Sequence, residues 1–136
     1  MKNLQENLFN YLSNVSAITA YIGTGSSIRL YTRTAPDNID DPFIVMFVVG
    51  RDPSYTYTSH TDLERYTVQI SVFGKSYNSS VQPLSEAVIN ALDTKATSYG
   101  LNGSFLEAES VSREDDTKLY HIPMTFGIWY DGTIGS

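Results

Sequence analysis

Two long stretches of this chain alternate between apolar and polar side chains, and that alternation limits what the chain can fold into. From Leu63 to Phe73 one face is apolar, formed by Tyr66, Val68, Ile70 and Val72. The pattern returns from Tyr120 to Tyr130. A period of two is that of a β-strand with one buried face. At about 3.3 Å per residue each stretch would reach roughly 36 Å. This length suits a scaffold or an assembly subunit, because most strands are shorter.

Two helices are predicted at the start of the chain, where apolar residues recur at helical spacing. The first begins near Leu4 and ends near Asn14. A short second helix is expected from Ala17 to Ile22, with Ser16 as its N-cap and Gly23 in the left-handed conformation after it.

A third helix is predicted in the middle of the chain. It follows the capping candidates Asn78 to Ser80, carries Pro83 in its first turn and ends near Asp93. Its apolar stripe is formed by Val81, Leu84, Val88, Ala91 and Leu92. We expect this helix to cover the sheet.

Other apolar runs predict the remaining strands. Ile28 to Thr32 is a short strand, and Phe43 to Val49 is apolar throughout. A run without alternation implies cover on both faces, so we expect Phe43 to Val49 to be a central strand beneath helices. Gly50 to Thr61 is expected to be a polar, tyrosine-rich loop or an irregular hairpin end. Phe105 to Arg113 and Lys118 to Tyr130 flank a polar turn and predict a hairpin.

These elements define the fold class. Their order is α-(α)-β-β-β-α-β-β, and we expect an α+β fold with a mostly antiparallel sheet and helices packed on one face. The length of 136 residues is that of one domain. Residues 1–136 are therefore predicted to form a single domain.

Composition excludes several classes of function. The net charge of −6, without a Lys/Arg cluster, argues against specific binding of nucleic acid. The chain has no cysteine, which removes disulfides and thiolate chemistry and fits synthesis in the cytoplasm. No apolar run approaches the ~20 residues of a membrane span, so we expect no membrane association.

The titratable residues do not form a recognisable catalytic motif. His60 lies beside Ser59 and Asp62, but neighbours in sequence rarely have the geometry of a triad, and His121 is expected on the polar face of its strand. The carboxylates near Asp41 lack the ligand spacing of a calcium loop. We therefore predict no catalytic residue, no metal site, no cofactor and no enzyme activity.

A tyrosine-rich loop is the better candidate for function. Tyrosine offers a large contact area and a hydrogen-bonding tip, so exposed tyrosines beside an arginine are plausible interface anchors. The alternative is that they pack back on their own sheet. The residues expected to contact copies of the chain or other partners are Arg51, Tyr55, Tyr57, His60, Trp129 and Tyr130.

Ordered landmarks along the chain resemble the bacteriophage tail-completion family, the tail-to-head joining or tail-terminator proteins of long-tailed phages. They are Ile28 to Tyr31, Ala35-Pro36, Asp41 to Val45, Thr67 to Gly74, Tyr77, Ala91-Leu92 and Tyr120 to Tyr130. The resemblance covers nearly the whole chain, and its specificity lies in the order and spacing of the landmarks.

The resemblance implies an α+β virion subunit that closes into a ring, commonly a hexamer. Such a ring caps the tail tube, joins it to the head connector and lets DNA pass without specific binding. The implied partners are further copies of the chain, the tail tube protein and the head completion protein. Assembly is expected in the host cytoplasm.

Two other functions stay open at the level of sequence. One is a small non-viral α+β domain that binds a ligand in a pocket between helix and sheet. The other is an adaptor that binds a partner through an edge strand.

Overall fold

The computed structural model describes residues 4–34, 40–52, 64–93, 101–113 and 119–130. It has an α+β fold, as the sequence predicts. The helices are α1 (Leu4–Leu12), α2 (Ser16–Ile22) and α3 (Gln82–Leu92). The strands are β1 (Leu30–Thr32), β2 (Phe43–Asp52), β3 (Glu64–Gly74), β4 (Leu101–Glu109), β5 (Ser112–Arg113) and β6 (Tyr120–Tyr130).

The strands form one mixed sheet in the order β1-β2-β3-β6-β4, with β5 also paired to β6. All pairs are antiparallel except β1 with β2. The two long alternating stretches are β3 and β6, and they pair along their whole length from Glu64 opposite Tyr130 to Gly74 opposite Tyr120. The predicted hairpin between the last strands is confirmed, and its turn lies outside the described residues.

The core lies between one face of the sheet and the three helices. Apolar residues of β3 and β6 that alternate toward this face are buried, as period two predicts. They pack against Leu4, Leu8 and Leu12 of α1, Ile18 and Ile22 of α2, and Leu84, Val88 and Leu92 of α3. We call this the core face and the opposite surface the outer face.

The prediction that β2 is central and covered on both faces is wrong. It is second from the edge, between β1 and β3. Ile44 and Met46 are buried on the core face, whereas Val45 and Phe47 on the outer face are half-buried and Val49 is 57% exposed. The run of apolar residues therefore reflects an apolar outer face and not a second layer of helices.

The helix caps also differ from the prediction. Ser16 is the first residue of α2, and the N-cap is Val15, which makes no side-chain capping bond. Gly23 has the expected positive φ of 89°, but its ψ of −179° is extended and not left-handed helical. Asn78 to Ser80 lie in a π-helical turn, Tyr77–Val81, which leads directly into α3.

The predicted loop from Gly50 to Thr61 begins later than expected. A bulge between Val48 and Gly50 shifts the register, and pairing with β3 then continues to Asp52. A bulge absorbs one extra residue without ending the ladder. Gly50, Arg51 and Asp52 are consequently strand residues.

Candidate interface at the loop end of the sheet

One end of the sheet gathers the termini of four strands. The end of β2 lies beside the start of β3, with Asp52 opposite Arg65. Arg65 is in turn opposite Trp129 of β6. β4 starts in the same place, because Leu101 is opposite Tyr130. We call this the loop end.

The loop end is also where several stretches of chain join the sheet. Residues 53–63 connect β2 to β3, residues 94–100 lead into β4, and residues 131–136 follow β6. Each of these stretches is attached to a strand terminus at this end, because β2 and β6 finish here and β3 and β4 begin here. Three segments that lie outside the described residues are therefore attached to the sheet at the same end.

The structure brings part of the predicted interface together at this end. Arg51 is opposite Tyr66 in the β2–β3 ladder, and Trp129 and Tyr130 are the last two residues of β6. Trp129 is half-buried and projects on the outer face. Tyr55, Tyr57 and His60 lie outside the described residues, within the segment between β2 and β3.

An ion pair crosses the sheet near the loop end. Arg65 of β3 donates from Nη2 to Oε1 of Glu107 on β4 at 2.7 Å. The two strands flank β6, so this bond spans the strand that carries Trp129. The side chains of Arg65 and Glu107 are 12% and 29% exposed, and fully exposed pairs contribute about 0.2–1 kcal/mol. Its main consequence is to fix two charged side chains beside Trp129.

Sequence reasoning did not single out Arg65 and Glu107. Arg65 lies in a strand that alternates regularly, whereas two register shifts interrupt the strand that contains Glu107. The two residues have opposite charge. That β3 and β4 flank the same strand is a long-range property that the local pattern does not contain. Opposite charges in separate strands could have suggested the pair, once β6 was placed between β3 and β4.

The far end of the outer face carries a row of aromatic rings. Phe43 stacks on Phe73 with centroids 4.9 Å apart, and Phe73 stacks on His121 at 4.2 Å. Tyr31 meets Phe43 edge to face at 6.4 Å. His121 thus lies on the face opposite the core, as predicted, with its ring stacked on Phe73. Such stacks stabilise neighbouring strands by about 0.5–1.5 kcal/mol per pair.

The glycine-rich segment and the carboxylate of Asp41, which could have suggested a phosphate or metal site, have structural roles instead. Gly25–Ser27 forms a single 3-10 turn that connects α2 to β1. Asp41 accepts a hydrogen bond from the backbone N–H of Lys75 at Oδ2, 3.0 Å away. Within the described ranges, His, Asp and Glu side chains do not form a cluster suited to a metal ion. His60 and the turn at Glu114 to Asp116 lie outside these ranges.

An open cleft of about 680 Å³ lies between α1 and β1. Its walls include Phe9, Leu30 and Tyr31, with Glu6 at its rim. None of the helices in the described ranges combines the length and apolar character that crossing a membrane requires.

A sheet whose two longest strands pair along their whole length is typical of a structural subunit. Residues 6–131 match the family described as tail completion protein gp17. The chain belongs to this family and is thus a structural protein of the phage tail, a component of the virion.

A solved structure has the same fold. A chain of "Virion of native gene transfer agent (GTA) particle" is similar with a TM-score of 0.71 at 18% sequence identity, and the alignment covers 95% of each chain. At this identity the similarity shows the fold alone. Among curated proteins no match was found.

Proposed function

We propose that the protein completes the tail by capping the tail tube and joining it to the head connector, as a ring that we expect to be a hexamer. The proposal takes residues 1–136 as one tail-completion-like domain. The observation that carries it is the family match over residues 6–131, which includes every described helix and strand except the first two residues of α1.

The geometry of the sheet supports this role. β3 and β6 pair over eleven positions, which makes a rigid wall. The loop end is one extremity of that wall, and Arg51, Trp129 and Tyr130 belong to the strands that end there. We propose that Arg51, Tyr55, Tyr57, His60, Trp129 and Tyr130 contact a neighbouring copy, the tail tube protein or the head completion protein there.

The charge of the chain supports passage of DNA through the ring. A net charge of −6 repels the phosphate backbone. DNA would therefore slide through the lumen without specific binding. A ring whose lumen has positive potential would contradict this part of the proposal.

The test is to let phage particles assemble in the host cytoplasm while this protein is absent. The particles are then examined by electron microscopy. We expect filled heads and separate tails, because the joining component is missing. Purified wild-type protein added to the lysate should restore joined, infectious particles.

The control is an equal amount of a variant truncated before β6, which lacks the strand that pairs with both β3 and β4. Normal joined particles in the absence of the protein would show that the proposal is wrong. Antibody or gold labelling that locates the protein away from the head–tail junction would do the same.

A further inference from the structure

The sheet has two open edges. β1 is the last strand on one side, and β4 with its continuation β5 is the last on the other. Among the described strands, none pairs with the outer side of β1, β4 or β5. Open edges present unpaired backbone groups to other chains.

The two edges lie at the same height along the strands. One row of directly opposed residues crosses the whole sheet from one edge to the other. It consists of Thr32, Met46, Ile70, Met124 and Glu109. The next row runs from Tyr31 to Pro123, whose carbonyl oxygen accepts the N–H of Ser110. The positions around Thr32 on one edge thus correspond to the positions around Ser110 on the other.

Each edge of the sheet carries an apolar feature. Val111 follows Ser110 and is 53% exposed, a rare degree of exposure for a large apolar residue in this structure. At the matching height on the opposite edge lies the cleft between α1 and β1, with Phe9, Leu30 and Tyr31 in its walls. An apolar side chain at one edge and an apolar cleft at the other are suited to each other.

The charges are complementary as well. Glu109 is exposed at the β4 edge, and Arg33 is exposed directly after Thr32 at the β1 edge. Within the described part of the chain neither side chain takes part in an ion pair. Arg33 also has a positive φ of 73°, which turns the chain at the end of β1.

We infer that a second copy of this chain docks edge to edge, with β4–β5 of one copy beside β1 of the next. Val111 enters the cleft between α1 and β1, and Glu109 approaches Arg33. β1 runs parallel to β2 and β4 runs antiparallel to β6, so β4 and β1 have opposite directions within one copy. Rotation about an axis along the strands therefore gives an antiparallel pair between copies, the stronger of the two ladders.

The occupant is another copy because both complementary surfaces belong to the same chain at the same height. A contact between two different surfaces of identical chains propagates head to tail and closes into a ring when the rotation fits. The inference rests on the proposed ring and adds the surfaces that form it.

Paired cysteines test the contact directly, since the chain has no cysteine of its own. Thr34 lines the cleft, so the double variant Thr34→Cys/Val111→Cys places one thiol at each edge. Within one copy the edges are four strand spacings apart, about 19 Å. A disulfide requires Cα atoms within about 7 Å. Any disulfide between these positions must therefore join two copies.

We expect mild oxidation to give a ladder of covalent oligomers ending in a closed ring, both in the purified protein and in assembled tails. The matched control is Glu86→Cys/Val111→Cys, in which the first thiol is on the exposed face of α3. It should give few products. A ladder that stops at the dimer would contradict head-to-tail docking.

Charge reversal provides a second test. Arg33→Glu and Glu109→Arg should each weaken self-association about two- to fivefold by sedimentation velocity, within the range for exposed ion pairs. The double variant should recover most of the loss. Equal far-ultraviolet circular dichroism establishes that the variants are folded.

The outcomes separate this inference from the proposed function. Suppose that rings form but the cysteine pair gives no more cross-links than the control, and charge reversal has no effect. That result would contradict the edge contact but would not contradict the proposed ring. A protein that stays monomeric both alone and on tail tubes would contradict both.

Discussion

Tyr11 donates its hydroxyl group to the carbonyl oxygen of Ala91 at 2.6 Å, which ties α1 to the last turn of α3. The two helices are far apart in sequence, and this bond holds them together over the core face. Ala91 O is among the last carbonyl groups of α3, which have no partner within the helix. The bond therefore satisfies a helix end and joins two helices at once.

Replacing Tyr11 with Phe should lower the free energy of unfolding by about 0.5–1.5 kcal/mol, the usual net value of a hydrogen bond. Urea denaturation measures the change. Tyr21→Phe is the matched control, because the Tyr21 hydroxyl group has no hydrogen bond to the described residues. A loss no larger than that of the control would contradict the structural role of the bond.

Alkaline pH should act through the same residue. Burial raises the pKa of Tyr11 above its ordinary value of about 10. The unfolded chain then releases this proton at lower pH than the folded protein does. The contribution of this proton to the free energy of unfolding is fully present below about pH 10. It is lost as the pH rises through the folded-state pKa. The decline should be shallower in Tyr11→Phe, and identical slopes for both proteins would contradict the assignment.

Gly74 at the end of β3 should not tolerate a side chain. A Cβ there would lie 2.7 Å from Cγ2 of Val81, which is fully buried. Gly74→Ala should therefore cost about 1–3 kcal/mol of unfolding free energy, the range for overpacking. Adding Val81→Ala should recover part of that loss, because it removes the clashing methyl group.

The control for Gly74 is Gly50→Ala in β2, where a Cβ would meet nothing within 4 Å. It should change stability by less than about 0.5 kcal/mol. Equal effects at the two glycines would show that space around Gly74 is not the cause. Denaturant midpoints with unchanged slopes provide the measurement.

Arg29 fastens the start of β2 to the end of α2. Its Nε donates to the carbonyl oxygen of Pro42 at 2.9 Å, and its Nη2 donates to that of Tyr21 at 2.6 Å. Arg29→Ala should lower the melting temperature and cost about 1.5–3 kcal/mol. Arg29→Lys should restore less than half, because an ammonium group lacks the planar fork. Lys75→Ala, which removes an exposed cationic side chain, should leave stability nearly unchanged.

Trp129 reports on the loop end, since it is the chain's single tryptophan. If this end contacts a partner, the indole loses water and its emission should shift to shorter wavelength when the protein joins tail tubes or heads. The control moves the reporter to the exposed face of α3, with Glu86→Trp in a Trp129→Phe background. Unchanged emission of Trp129 in joined particles would remove it from the interface.

The local pattern predicted the long strands and the apolar stripes of the helices. Val68, Ile70, Met124 and Phe126 are buried because alternation is a property of each strand by itself. Helix boundaries were less accurate at Ser16 and near Asn78, where several polar residues could each have served as a cap. The sequence contains more capping candidates than the helix ends use.

The features that the sequence did not predict depend on which strands, distant in sequence, lie next to each other in the sheet. The half-buried outer face of β2 and the ion pair from Arg65 to Glu107 follow from the strand order, which places β6 between β3 and β4. The same holds for Gly74, whose constraint comes from Val81 folding back over it. At the candidate interface the sequence indicated Arg51, Trp129 and Tyr130, and the register adds that they share one end of the sheet.

The strand order also has a consequence during synthesis. β6 is the last described strand to leave the ribosome, yet it lies between β3 and β4 and pairs with both. A nascent chain halted before it contains β3 and β4 with nothing between them, and its core lacks the apolar residues of β6. Non-local pairing of this kind forms late and slowly. Incomplete translation products should therefore not fold, so they should neither enter growing particles nor block their assembly.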